Sequence, residues 1–209
     1  MNQCKQRWAF GTVVVMFWLA GLASAEDPKP TGGQPPDQGF DAAMMEAWDK
    51  LMAPGEHHKM LEPMAGRFTY VNTFRMDPSQ PEMTSQGTYE GTMVFGGRYL
   101  MSLHKGEMMG RPYEGLGILG YDNQLQKHVS IWLDSMGTGI LRTEGTCADN
   151  GKSMTFEGEM PDPMQGGKLV AYRYKFEIPN EDEFSFHWWA PGPTSELFEA
   201  MTIHYTRVK

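Results

Sequence analysis

Six side chains able to bind or polarise a small molecule crowd into one stretch of this chain: Tyr113, Glu114, Trp132, Asp134, Arg142 and Glu144. They fall on three successive segments of strand-like sequence, so hairpin pairing would make them neighbours. An aromatic wall with a few orienting polar groups is the usual make-up of a small-molecule pocket. Two other chemistries compete for the same residues. The carboxylates suit a solvated strand face or a structural ion pair with Arg142. Acid–base catalysis by a pair such as Glu114 and Asp134 would need a perturbed pKa and a defined separation.

Further candidates lie elsewhere. His187 and His204 alternate with apolar neighbours near the C-terminus, and Trp188 follows His187. Each histidine suits a hydrogen-bonded core position, a surface position or an axial ligand to a haem or metal. The chain has six histidines, but no His-x-His or Cys-x-x-Cys spacing marks a metal site. Its 18 methionines are spread over helices and loops without a dense repeat, which favours adaptable apolar filler over Cu(I) ligation. Cys147 has no basic neighbour before Lys152 to lower its pKa, which argues against a catalytic thiolate. No metal site and no cofactor is expected from these patterns.

The elements that must position these residues change character along the chain. Met44, Trp48, Leu51 and Met52 recur at helical spacing and stop at Pro54-Gly55. A second short helical stretch runs from Glu56 to about Met64. After Gly66 the period becomes two, and ten strands are expected: Arg67–Arg75, Met83–Phe95, Arg98–Gly106, Arg111–Tyr121, Lys127–Leu133, Gly139–Cys147, Ser153–Met160, Lys168–Ile178, Phe184–Ala190 and Glu196–Val208. Short links such as Asn150-Gly151, suited to positive φ, imply an antiparallel meander. Closing that meander removes its two edges, so the expectation is a single mainly β antiparallel barrel of eight to ten strands, capped at one end by the helices from Phe40 to Met64.

Alternation sorts the faces only in part. In Lys168–Ile178 the apolar Val170, Tyr172, Tyr174, Phe176 and Ile178 share one face, while the charges, Arg173, Lys175 and Glu177 among them, mostly occupy the other. In Lys127–Leu133 one face carries Val129, Ile131 and Leu133, and the other His128, Ser130, Trp132 and Asp134; an inward Trp132 lines a cavity and an outward one covers surface. Gly115, Gly117 and Gly120 suit a sharp barrel bend or the close approach of a ligand. No helix follows them to offer its N-terminus to a phosphate.

Gly66-Arg67-Phe68 resembles the Gly-x-Trp opening of calycin barrels such as lipocalins, with Phe in place of Trp. The resemblance implies that Arg207, on the last strand, stacks on Phe68. A closer likeness is to a bacterial family catalogued as domain of unknown function 1579. It is carried by Pro54-Gly55-Glu56-His57, Gly66, Tyr113-Glu114-Gly115-x-Gly117, Gly120-Tyr121-Asp122, Trp132-x-Asp134-Ser135-Met136 and Tyr205-Thr206-Arg207, over roughly Met52 to Lys209. That resemblance implies a lipocalin-like fold without an assigned activity.

The ends of the chain bound its surroundings. Lys5 and Arg7 precede an apolar run of about 15 residues, Trp8 to Leu22, and then Ala23-Ser24-Ala25. This is the pattern of a signal peptide cleaved near Ala25, too short to span a membrane as a helix. Residues 26–39, rich in Pro, Gly and charge, read as a flexible linker, which leaves one domain over residues 40–209. The expected product is exported, periplasmic or extracellular, with no stable membrane insertion. The chain carries a net charge of −8 and would be more acidic without Lys5 and Arg7, which excludes a nucleic-acid partner. Only Cys147 would remain, so the fold must rest on an apolar core. The leading expectation is a barrel that holds a small apolar or amphipathic ligand. The alternatives are a carboxylate-dependent hydrolase or isomerase in the barrel mouth, a haem or metal carrier, and a non-catalytic envelope scaffold.

Overall fold

The computed structural model describes residues 41–162 and 165–209; the expected signal peptide and linker lie outside the described residues. Ten strands follow two helices: α1 (Ala42–Met52), α2 (Glu56–Lys59), a single 3-10 turn (Glu62–Met64), then β1 (Gly66–Phe74), β2 (Met83–Val94), β3 (Tyr99–Met108), β4 (Arg111–Asp122), β5 (Lys127–Asp134), β6 (Leu141–Ala148), β7 (Ser153–Asp162), β8 (Lys168–Glu177), β9 (Glu183–Pro191) and β10 (Leu197–Arg207). Every strand pairs antiparallel with its sequence neighbours, and β1 pairs with β10 to close the barrel. All ten expected strands are present, with ends displaced by at most two residues. Closure satisfies the backbone groups that an open meander would leave along two edges.

Between β6 and β7 the link is longer than a two-residue hairpin. Ala148 pairs with Ser153, and Asp149, Asn150 and Gly151 all take positive φ.

The barrel has one closed end. Leu61 and Met64 are fully enclosed beneath the strands, and the Tyr89 hydroxyl donates to the Met64 carbonyl at 2.9 Å. Arg207 lies 4.4 Å over the Phe68 ring, as the calycin likeness implies. It also donates to the carbonyls of Pro63 and Ala65 at 2.8 and 2.9 Å, locking the 3-10 turn onto the last strand. Gly66 has a φ of 124°, and a side chain there would run into the Arg207 guanidinium; only glycine fits this entry to β1.

Capping falls to the second half of the expected helical region. The carbonyls at the end of α1 accept from Arg98 (Met52) and Asn123 (Leu51), with Ala53 also bonded to Asn123. No side chain of α1 is buried, and Met44 and Trp48 are both 55% exposed. The helix is held by its last turn, not by its apolar stripe.

The interior is strongly aromatic. Phe184 stacks on Tyr205 at 4.1 Å between ring centres, Phe156 on Tyr174 at 4.8 Å and Tyr172 on Trp188 at 4.7 Å. In β8 the apolar face points inward. In β5 the relation is reversed: Leu133 is exposed, while His128, Ser130, Trp132 and Asp134 face the interior. The outward residues of β5 continue apolar rows across β4 and β3, with Leu103, Leu116 and Leu133 in register, as are Met101, Ile118 and Ile131. Among the described residues, no helix is long and apolar enough to cross a membrane.

The candidate ligand cavity

At the end opposite α2 the barrel encloses a cavity of about 330 Å³. Its wall is largely aromatic and aliphatic, and methionines reach it from β3, β7 and β10 (Met108, Met160, Met201) and from the link after β5 (Met136). Thioethers adapt to irregular apolar surfaces, which gives these four a role at the rim.

Trp132 is set by glycines. It pairs with Gly117 across the β4–β5 ladder; a Cβ at Gly115 would press into its indole ring, and one at Gly117 would run into Ser102 Oγ while touching the indole. Bare backbone on β4 therefore lets the ring lie flat across the strand. The indole Nε1 donates to Asp134 at 2.9 Å, and the Met136 amide donates to the other carboxylate oxygen at 2.9 Å. Tyr113 lines the same region, and burial, followed by the adjacent Asp134 charge, raises its pKa. These glycines pack against an aromatic ring; their spacing reflects Trp132 more than a bend in the barrel.

Two polar atoms in the cavity wall lack partners. Asn72 is 2% exposed, and its Oδ1 accepts nothing; its amide reaches Ser85 at 3.4 Å. His104 Nε2 meets the Tyr205 hydroxyl at 3.1 Å, while Nδ1 has no partner. Trp132 and Tyr89 meet the imidazole edge-on, each 4.9 Å away. Burial lowers the His104 pKa to about 3, so the ring is neutral at ordinary pH.

The eight sequence candidates separate by face. Tyr113, Trp132, Asp134 and Trp188 line the cavity. Glu114, Arg142, Glu144 and His187 lie on the outer surface, and strand alternation is the reason. Glu114 pairs with Lys105 at 3.4 Å; Glu144 pairs with both Lys127 and Arg142 at 2.8 and 3.1 Å. His187 sits 2.7 Å from Glu199. His204 is exposed on the outside of β10, so both histidines face away from the cavity. Asn72 and His104 were missed because an isolated Asn and His on apolar strands carry no sequence pattern. The one available signal was that each shares a face with Tyr70 or Leu100.

Comparison with known proteins agrees with this architecture. A crystal structure of Rv2717c from M. tuberculosis superposes with a TM-score of 0.52 at 14% identity, covering 75% of this chain and 100% of that one. A redesigned β-barrel aligns with a TM-score of 0.38 at 14% identity, over 74% of this chain and 96% of that one. At such identity the Rv2717c likeness shows the fold alone. No curated protein matches the chain. The model of the family described as "Protein of unknown function (DUF1579)" matches residues 53–207, and the chain belongs to that family.

Proposed function

We propose that the barrel binds a small amphipathic molecule, apolar in its body and hydrogen-donating at its head. The observation that carries this reading is the pairing of an apolar cavity with two buried, unpartnered polar atoms, Asn72 Oδ1 and His104 Nδ1, in its wall. An orphaned buried polar group costs about 1–3 kcal/mol, and a guest that bonds to it recovers that cost.

Size and charge narrow the class. The cavity is roughly twice the volume that encloses one benzene ring, so a guest of about a dozen non-hydrogen atoms fits. Among the described residues, no Lys or Arg lines the cavity, whereas Asp134 does. An anionic head would enter desolvated and without a counter-ion, at a cost of several kcal/mol. An alcohol or amine meets acceptors instead. The carboxylate-catalysis alternative loses support, since Glu114 and Glu144 sit in outer ion pairs. A haem held by His187 or His204 loses support because both face away from the interior. Export remains a proposal resting on the N-terminal sequence.

Titration of intrinsic tryptophan fluorescence with decanol, decylamine and decanoate tests this reading, because Trp132 and Trp188 are in the wall. Decanol and decylamine are expected to saturate the signal at one equivalent, with decanoate at least about tenfold weaker. No saturable response to any of the three, or decanoate binding best, would overturn it.

A further inference from the structure

The closed end contains a cluster that the cavity does not use. His57 on α2, His128 on β5 and Cys147 on β6 bring one ligand atom each to within 4.8 Å of one another. His57 Nδ1 and Cys147 Sγ are 3.6 Å apart. His57 is fixed by stacking on Tyr121, with ring centres 4.1 Å apart. His128 meets His57 edge-on at 5.8 Å. It is 1% exposed, and its ring nitrogens have no side-chain partner and only the Gly120 backbone within reach.

A histidine with an orphaned ring nitrogen in a packed interior is costly as a plain core residue. Beside a second imidazole and a thiol the same ring has a use. From these positions we propose that His57, His128 and Cys147 form a binding site for a single transition-metal ion of the class shared by imidazole and thiolate, Zn²⁺ or Cu(I).

The donor set excludes the hard cations, which prefer carboxylate and carbonyl oxygens. Tetrahedral zinc with these donors needs ligand atoms about 3.5 Å apart. The His57–Cys147 separation already matches, and His128, with its ligand atom within 4.8 Å of the other two, must approach by at most about 1.3 Å, within the reach of side-chain rotation. Binding replaces the thiol proton with the metal and releases that proton to solvent. The three ligands come from three elements, so the ion would staple the helical cap to the barrel wall. Among the described residues no fourth His, Cys, Asp or Glu joins the cluster, which leaves a position for water.

Cobalt provides the test, since a thiolate–Co²⁺ bond shows a near-ultraviolet charge-transfer band. The full chain carries Cys4→Ser to remove the other thiol and is stripped with chelator under reducing, anaerobic conditions. One equivalent of Co²⁺ should produce the band and raise the melting temperature. Cys147→Ser should abolish the band, His57→Ala should weaken cobalt binding by at least about tenfold, and His204→Ala, on the outer surface, should leave it intact. Zn²⁺ displacing cobalt assigns the site to zinc; Cu(I) displacing it where Zn²⁺ fails assigns it to copper. Displacement by neither, no band in the parent, or an equal band in Cys147→Ser overturns the proposal.

Discussion

Around the cavity, polar side chains stand short of partners inside an apolar wall, whereas at the closed end most are bonded to backbone. Arg207 alone satisfies the carbonyls of Pro63, Ala65 and Glu181. His58 accepts from the Gly55 amide at 2.9 Å, and Tyr89 donates to Met64. The cavity wall instead leaves Asn72 Oδ1 and His104 Nδ1 open. The difference separates a region built for stability from one that gives some stability up. Satisfied groups rigidify a cap, and unsatisfied ones hold free energy that a guest can release. His128 is the exception at the closed end, and it stands beside His57 and Cys147.

This contrast can be broken at its strongest point first. Arg207→Ala removes three charge-assisted hydrogen bonds and the stacking on Phe68, so urea denaturation should show a loss of about 3–5 kcal/mol. Arg207→Lys should recover only part of it, because an ammonium cannot reproduce the planar fork. At the mouth, Gly117→Val should cost about 1–3 kcal/mol by overpacking against Ser102 and Trp132. It should also weaken decanol binding in the fluorescence titration, since Trp132 must leave its seat.

His104 packs against Tyr70, Tyr89, Trp132 and Tyr205, and its folded pKa is lowered to about 3. The unfolded chain therefore binds this proton first as pH falls below about 6.5. Its contribution to stability is complete above that pH and is lost progressively down to about 3. The slope is at most about 1.4 kcal/mol per pH unit. His104→Gln should flatten denaturation midpoints measured across this window; an unchanged slope would show that His104 is not held neutral.

The smallest effect sharpens the comparison most. Asn72→Leu removes an orphaned acceptor, so it should stabilise the protein by about 1 kcal/mol while lowering its preference for decanol over an alkane of equal length. Calorimetric melting and the same titration read the two effects separately.

Much of the architecture was legible because its signals are local. The period of two after Gly66, the turn residues and the short links specify ten strands and an antiparallel meander. Arg207 over Phe68 was legible from likeness. The site was legible only by half. Tyr113, Trp132, Asp134 and Trp188 reach the cavity, whereas Glu114, Arg142, Glu144 and His187, equally suited by residue type, point outward.

The sequence by itself determined the alternation of each strand, since successive side chains must leave opposite faces of a pleated backbone. It could not state which face was which. In β8 the aromatic face turns inward, as hydrophobicity suggests, but in β5 Val129, Ile131 and Leu133 turn outward and His128, Trp132 and Asp134 turn in. That choice follows from register with β4, where Gly115 and Gly117 leave room for one indole and so fix the inner face of β5. The gathering of His57, His128 and Cys147 likewise needed barrel closure and the seating of α2, because residues 90 positions apart meet only when the cap closes on the barrel.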